Sequence, residues 1–186
     1  MTFSFIIYVK GVSNTMTGLN SNTLEELILR IASGDAEAFA NLYLITKPAV
    51  YAYALSILKN TYDAEDALQD CYLNIRAYAG QYRHGSNPMA WILTIVKNLS
   101  LQILQQQKRT ADPIPESYIP SKSADPEDKI IVEGCLKVLS DESRQIVILH
   151  AVAGFKYREI AKFMSLPIHT VITKYRRALQ KMRTEL

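Results

Sequence analysis

The sequence predicts an all-α chain: two small helical domains joined by a proline-rich linker, the second carrying a helix-turn-helix. Three observations lead there. Apolar residues recur at helical spacing from Leu24 to Met182, and no strand-like alternation runs over several residues after Val9. Pro113, Pro115, Pro120 and Pro126 crowd one short stretch, a density that no helix survives. Beyond it, two helical segments are separated only by Ser165-Leu166-Pro167. The length of 186 residues allows one ordinary domain or two small ones. With 48% apolar and 21% charged residues, the chain can pack a core. Its 7 Gly and 7 Pro exclude collagen-like and low-complexity architectures.

Each element has a local reason. Residues 1–22 are expected to be a loose tail or, ahead of Met16, an upstream mis-start. Thr23 is the expected N-cap of the first helix, with Glu25 and Glu26 in the first turn, where the helix dipole favours acids. Leu24, Leu27, Ile28 and Ile31 form its apolar face, and Gly34 fits its C-terminal end. Asp35 caps a second helix carrying Phe39, Leu42 and Tyr43 and, beyond Pro48, Val50, Tyr53, Ala54, Ile57 and Leu58. Asn60 to Tyr62 reads as a turn, and Asp63 as the cap of a third helix with Ala67, Leu68, Cys71, Tyr72 and Ile75 inward. A polar loop, Gly80 to Asn87, precedes a fourth helix that opens at Pro88 and carries Trp91, Ile95 and Leu99 on one face. The domains are thus placed at 23–109 and 127–186, with 110–126 as a semi-stiff tether. In the second, a helix capped near Ser140 or Asp141 ends at Gly154. Helices from Tyr157 to Met164 and from about Ile168 to Thr184 follow.

Composition excludes several function classes. Cys71 and Cys135 lie far apart, and His84, His150 and His169 have no ligand spacing, so neither a disulfide scaffold nor a metal site is supported. A reducing cytoplasm is the expected compartment. No stretch approaches the roughly 20 apolar residues that span a bilayer. The apolar run Phe3 to Val9 lacks the flanks of a signal peptide. No catalytic residues and no cofactor are implied, because no motif with catalytic mechanics is present.

The net charge of +3 is unevenly spread. From Leu24 to Arg109 eight bases balance eight acids, whereas from Glu127 onward eleven bases oppose seven acids. Between Lys156 and Arg183 there are eight bases against Glu159 alone, the footprint of a polyanion binder. The same segment has the helix-turn-helix pattern. Ile160, Ala161 and Met164 would face the second helix, Leu166 would plug the turn, and Val171, Tyr175, Ala178 and Met182 would face the core. His169, Thr170, Ile172, Thr173, Arg176, Arg177 and Gln180 are left outside, where a recognition helix meets base edges in the major groove. An ordinary helix hairpin is the competing reading.

The segment from Leu139 to Arg183 resembles region 4 of bacterial sigma factors. The resemblance rests on Leu139-Ser140, Arg144, Gly154, Tyr157, Glu159-Ile160-Ala161, Thr170-Val171 and Arg177-Ala178. The N-terminal half is similar to region 2, through Asp35 to Phe39, Asp63 to Asp70, Tyr72, Ala90-Trp91 and Asn98. Both regions, in this order with a short tether, resemble the extracytoplasmic-function class over residues 24–186. The resemblance implies a subunit that binds core RNA polymerase and directs it to promoter DNA. It implies polymerase contacts at Asp63, Glu65, Asp66, Gln69, Asp70 and Asn74, on the helix that docks against the clamp of the largest subunit. On composition alone, that cluster reads as a solvated acidic helix start.

For the melted minus-10 element the resemblance implies Tyr82, Arg83, His84, Asn87, Asn98, Lys108 and Arg109. Tyr82 and His84 are expected to be exposed, and Trp91 to be core. For the minus-35 element it implies Tyr157, Arg158, His169, Thr170, Thr173, Lys174, Arg176 and Arg177. An anti-sigma partner commonly holds members of this class, and the tether permits such a closed arrangement. Two departures stand out. The basic run usual after the Asn98 position is replaced by Gln102, Gln105, Gln106 and Gln107, which weakens phosphate attraction. His169 and Ile172 replace the usual Gly and basic residue of the recognition helix. The glutamine run motivates a second reading, a sigma-like DNA-binding regulator without independent initiation activity.

Overall fold

The computed structural model describes residues 21–110 and 138–185. They form two compact units, one on each side of the proline-rich stretch. Among the described residues there are seven α-helices, one short 3-10 turn and no strand. Residues 1–20, 111–137 and 186, and the tail and tether expected there, lie outside the described residues.

The first unit packs α1 (Ser21–Ala32), α2 (Ala36–Leu58), α3 (Thr61–Tyr78) and α4 (Pro88–Thr110). A 3-10 turn, Ala79–Gln81, breaks the expected loop after α3. Helix α1 starts two residues ahead of the expected Thr23 cap. Ser21 and Asn22 therefore belong to the helix rather than to a tail, and Glu25 and Glu26 lie past the first turn. Its inward face is the expected one, Leu24, Leu27, Ile28 and Ile31. Gly34 follows with φ +87°, a left-handed conformation that costs glycine little. Its N–H donates to Ile31 O at 2.9 Å and closes the helix.

Asp35 caps α2 as expected, accepting the Ala38 N–H at 3.0 Å. Its other oxygen accepts from Arg30 at 2.8 Å, and these bonds hold its carboxyl below the usual aspartate range. Helix α2 runs through Pro48, which forfeits one helical hydrogen bond beside the exposed Leu44. The cap of α3 is Asn60, not Asp63. Its side chain accepts from Tyr62 and Asp63 N–H groups, and Asp63 lies within the first turn. The amide oxygen of Asn60 was the better acceptor here because it precedes the turn whose N–H groups lack helical partners.

The core of this unit is built from Ile28, Leu42, Tyr53, Ile75, Ile92 and Leu93, all essentially inaccessible. Each such side chain is worth about 1.5–3 kcal/mol when removed from water. One polar pair crosses it. The Thr46 hydroxyl reaches Leu42 O and the Tyr72 hydroxyl, each at 2.7 Å, and the Tyr72 hydroxyl also approaches Tyr43 O at 3.5 Å. Burial pushes the Tyr72 phenol well above its ordinary range.

The second unit packs α5 (Asp141–Ala151), α6 (Tyr157–Met164) and α7 (Ile168–Glu185). Ser140 occupies the N-cap position of α5. Gly154, with φ +73°, follows its end, and the Phe155 N–H reaches back to Leu149 O at 2.9 Å. Ile146, Ile148, Leu149, Ile160 and Met182 are its largest fully buried side chains. Arg144 is buried too. Its guanidinium donates to Leu139 O at 2.9 Å and pairs with Asp141 at 3.0 Å, so both orphan charge and orphan donors are avoided. Between α6 and α7 the chain turns at Ser165, a left-handed residue with φ +56°. There the Leu166 N–H closes on Ala161 O at 2.9 Å.

Candidate nucleic-acid interface

The recognition pair is formed as the spacing predicts. Val171, Tyr175, Ala178 and Met182 of α7 are buried, at successive intervals of three or four residues. That seam forces His169, Thr173, Arg176, Arg177 and Gln180 outward, and all five are exposed. Thr170 and Ile172 are half-buried. Helix α6 is fixed at its start by Glu159, whose carboxylate accepts the Lys156 N–H at 2.7 Å. Arg158 stands exposed on its first turn.

Two of the expected contacts also have structural duties. Lys174 Nζ lies 2.9 Å from Glu142 of α5 and ties α7 to that helix. Tyr157 is half-buried, with its ring stacked on His150 at 4.5 Å and tilted against Tyr175 at 5.6 Å. Burial pushes the Tyr157 phenol up, and the neighbouring Arg176 charge works against that shift. His150 Nδ1 sits 2.7 Å from Phe155 O and carries the proton, since a carbonyl only accepts. This aromatic trio of His150, Tyr157 and Tyr175 is not evident from helical periodicity. The signal for it was the recurrence of His150, Tyr157 and Tyr175 on three different helices.

In the first unit the loop between the 3-10 turn and α4 brings Arg83, His84 and Asn87 together, all exposed. Tyr82 departs from expectation. It is only 7% exposed, its hydroxyl donates to Ser86 O at 2.7 Å, and its ring meets Trp91 edge-on at 5.4 Å. Burial also pushes its phenol up. Trp91 departs in the other sense. With Ile95 and Leu99 it is half-exposed, because the fully buried stripe of α4 is Ile92, Leu93 and Val96. Asn87 caps α4, accepting the Ala90 N–H at 2.9 Å. Asn98 is exposed about 16 Å further along the helix axis, and Lys108 and Arg109 stand about 15 Å beyond it. The structure therefore spreads these candidates along one helix.

Along α3 the outward row is Tyr62, Asp66, Gln69, Asp70 and Leu73, all exposed. Glu65 and Asn74 flank it half-buried. Tyr62 and Leu73 were missed by reading polar residues alone. They are 61% and 64% exposed, and their helical register with Asp66 and Gln69 was the available clue. Asp63 is partly engaged by Gln107, at 2.8 Å. Among the described residues no three His, Cys, Asp or Glu side chains are grouped to hold a metal, and no helix is long and apolar enough to cross a membrane.

The family comparison assigns both units. Residues 42–110 match the sigma-70 region 2 model and residues 129–182 the sigma-70 region 4 model. The chain belongs to the sigma-70 family. Its pairing of the two regions is that of the extracytoplasmic-function class, and it is an RNA polymerase sigma factor for promoter recognition. Similar curated proteins include the ECF RNA polymerase sigma factor SigK of Mycobacterium tuberculosis H37Rv, 27% identical over 88% of this chain and 93% of that protein. SigK of Mycobacterium sp. strain KMS is 27% identical over 86% of this chain and 89% of its own length. In fold, this sigma factor is similar to RpoE of Bartonella quintana, solved with the anti-sigma factor NepR, with a TM-score of 0.62 and 24% identity. That match covers 80% of this chain and 96% of that one. It is similar as well to CnrH, solved with the cytosolic domain of CnrY, with a TM-score of 0.62 and 21% identity over 87% of this chain and 96% of that one.

Proposed function

We propose that this sigma factor divides promoter recognition between its units. The exposed row of α3, with Asp66, Gln69 and Asp70 at its centre, docks on core RNA polymerase. The loop carrying Arg83 and His84 captures the melted minus-10 strand, with Asn98 of α4 beside it. The N-terminal half of α7 enters the major groove of the minus-35 element, with His169, Thr173, Arg176 and Arg177 toward bases and phosphates. The observation that carries this reading is the α7 seam: four buried residues turn His169, Thr173, Arg176, Arg177 and Gln180 outward, with Ile168 as the one exposed apolar side chain at the start of that helix. In this reading residues 21–110 and 127–186 are the two working domains and 111–126 the tether. The protein is a cytoplasmic binding factor with no catalytic step of its own.

The structural neighbour RpoE was solved with the anti-sigma factor NepR, and we extend that kind of partner to this chain. A second reading, a regulator that binds DNA without starting transcripts, draws on α4. Gln102, Gln105 and Gln106 are exposed where phosphate-binding cations would help to hold an open strand. Native co-purification with bacterial core polymerase, followed by sequencing of the transcript starts, tests both. Stable binding with defined starts supports the sigma reading. Binding without starts supports the regulator. No binding overturns the polymerase assignment.

A further inference from the structure

One side chain reaches the strand-capturing loop from outside the segments that match the family models. Glu25 of α1 precedes residue 42, where the region 2 match begins. Its Oε1 accepts the Gly85 N–H at 2.6 Å and lies 3.3 Å from His84 Nδ1. The carboxylate is largely buried and the imidazole largely open, with side chains 14% and 78% exposed.

The rest of the loop is held by short internal bonds. Ser86 N–H and Oγ both donate to Arg83 O, at 3.1 and 2.7 Å, and the Tyr82 hydroxyl holds Ser86 O at 2.7 Å. Gly85 has φ +76°, and a Cβ there would meet nothing within 4 Å. Glycine is therefore required by conformation, not by space. That conformation turns the Gly85 N–H toward α1. The Glu25 bond thus fixes the peptide plane between His84 and Gly85, across a sequence separation of 60.

We infer that Glu25 is a positioning residue for recognition of the melted strand: it holds the 83–86 turn in the shape that presents Arg83 and His84 to DNA. A loop ordered before binding does not lose conformational entropy at the moment of binding. Base-reading groups lose discrimination when their support loosens. The Glu25 carboxylate is only 14% exposed and is engaged by the Gly85 N–H, which limits its repulsion of a strand. The inference rests on the reading of this loop as the strand-capturing element.

The experiment uses holoenzyme assembled from core polymerase and the full chain. It is offered fork DNA whose single-stranded segment is randomised, and the bound strands are sequenced. Glu25→Gln keeps an oxygen acceptor for the Gly85 N–H, whereas Glu25→Met keeps length and stem without one. Wild type and Glu25→Gln should enrich the same motif. Glu25→Met should lose about tenfold in that enrichment, with core affinity unchanged at a temperature where the variant is folded. Should Glu25→Met prove unstable, Glu25→Ala and Glu25→Gln are compared at a temperature where both are folded. Equal enrichment by the acceptor-free variants and wild type, while Arg83→Ala lowers it, overturns the role of Glu25 alone. No effect of Arg83→Ala, or no motif with wild type, overturns the loop reading and this inference with it.

Discussion

Gln107 Nε2 donates a 2.8 Å hydrogen bond to Asp63 Oδ2, joining the last turns of α4 to the first turn of α3. The two residues come from features that read separately in the sequence: the glutamine run and the acidic cluster. The bond gives one glutamine a structural duty, and it occupies one oxygen of a carboxylate assigned to polymerase docking. Because the acceptor is a carboxylate, the pair should be stronger than a neutral one at a comparable site. A double-mutant cycle with Asp63→Ala and Gln107→Ala, read by urea unfolding, should give a coupling of about 1 kcal/mol. A coupling indistinguishable from zero would show that the contact adds nothing to stability.

Asp66 is exposed in the middle of the α3 row, between Tyr62 and Gln69. Reversing its charge leaves the core residues Ala64, Ala67 and Leu68 untouched. Asp66→Arg should therefore lower core-polymerase affinity about tenfold while the melting temperature stays within a degree or two. Wild-type affinity in a direct binding titration would remove Asp66 from the docking surface. Leu73→Ala should also weaken docking, since an exposed apolar side chain beside polar ones is how an interface anchor looks before it is covered.

Cys71 is fully buried, with its thiol 3.8 Å from Ile92 O, and burial pushes its pKa to about 12. The thiolate is the reactive species, so folding should silence this residue. In a Cys135→Ser background, Cys71 should not react with a thiol reagent at pH 8 until denaturant unfolds the first unit. Raising the pH from 7 to 9 should leave the folded protein unlabelled, because the window still lies below the shifted value. Prompt labelling of the native protein would contradict the burial that defines the α3–α4 seam.

The helices were legible because their apolar periodicity is strong: the inward faces of α1 and α7 are those that spacing selects. Their starts were less legible. Thr23 and Asp63 have good capping side chains, yet Thr23 lies inside α1 and Asn60 is the cap of α3, since caps compete locally and tertiary packing selects among them. Tyr82 was misjudged for a related reason. A tyrosine in a polar loop reads as exposed, but its ring covers Trp91 while its hydroxyl satisfies Ser86 O. The Glu25–Gly85 bond could not be read at all, because nothing in a one-dimensional pattern joins positions 60 residues apart.

The basic face of α7 allows a sharper test, since its cations are not equivalent. Arg176 and Arg177 are exposed, whereas Lys174 is already paired with Glu142 at 2.9 Å. A free cation that meets a phosphate releases a counterion, and each lost contact flattens the salt dependence of binding by about one unit of slope. A cation that reads a base instead changes specificity more than slope. With holoenzyme on the promoters found by transcript mapping, Arg177→Ala should reduce the salt slope by about one. Arg176→Ala, beside Tyr157 at the centre of the face, should lower affinity about tenfold and relax preference at one base pair. Lys174→Ala should change the slope least and instead destabilise the second unit slightly, by the roughly 0.2–1 kcal/mol of a partly exposed ion pair. Equal slopes for the Lys174 and Arg177 variants would mean that Lys174 leaves Glu142 when DNA binds. The pair would then be a contact of the free protein alone.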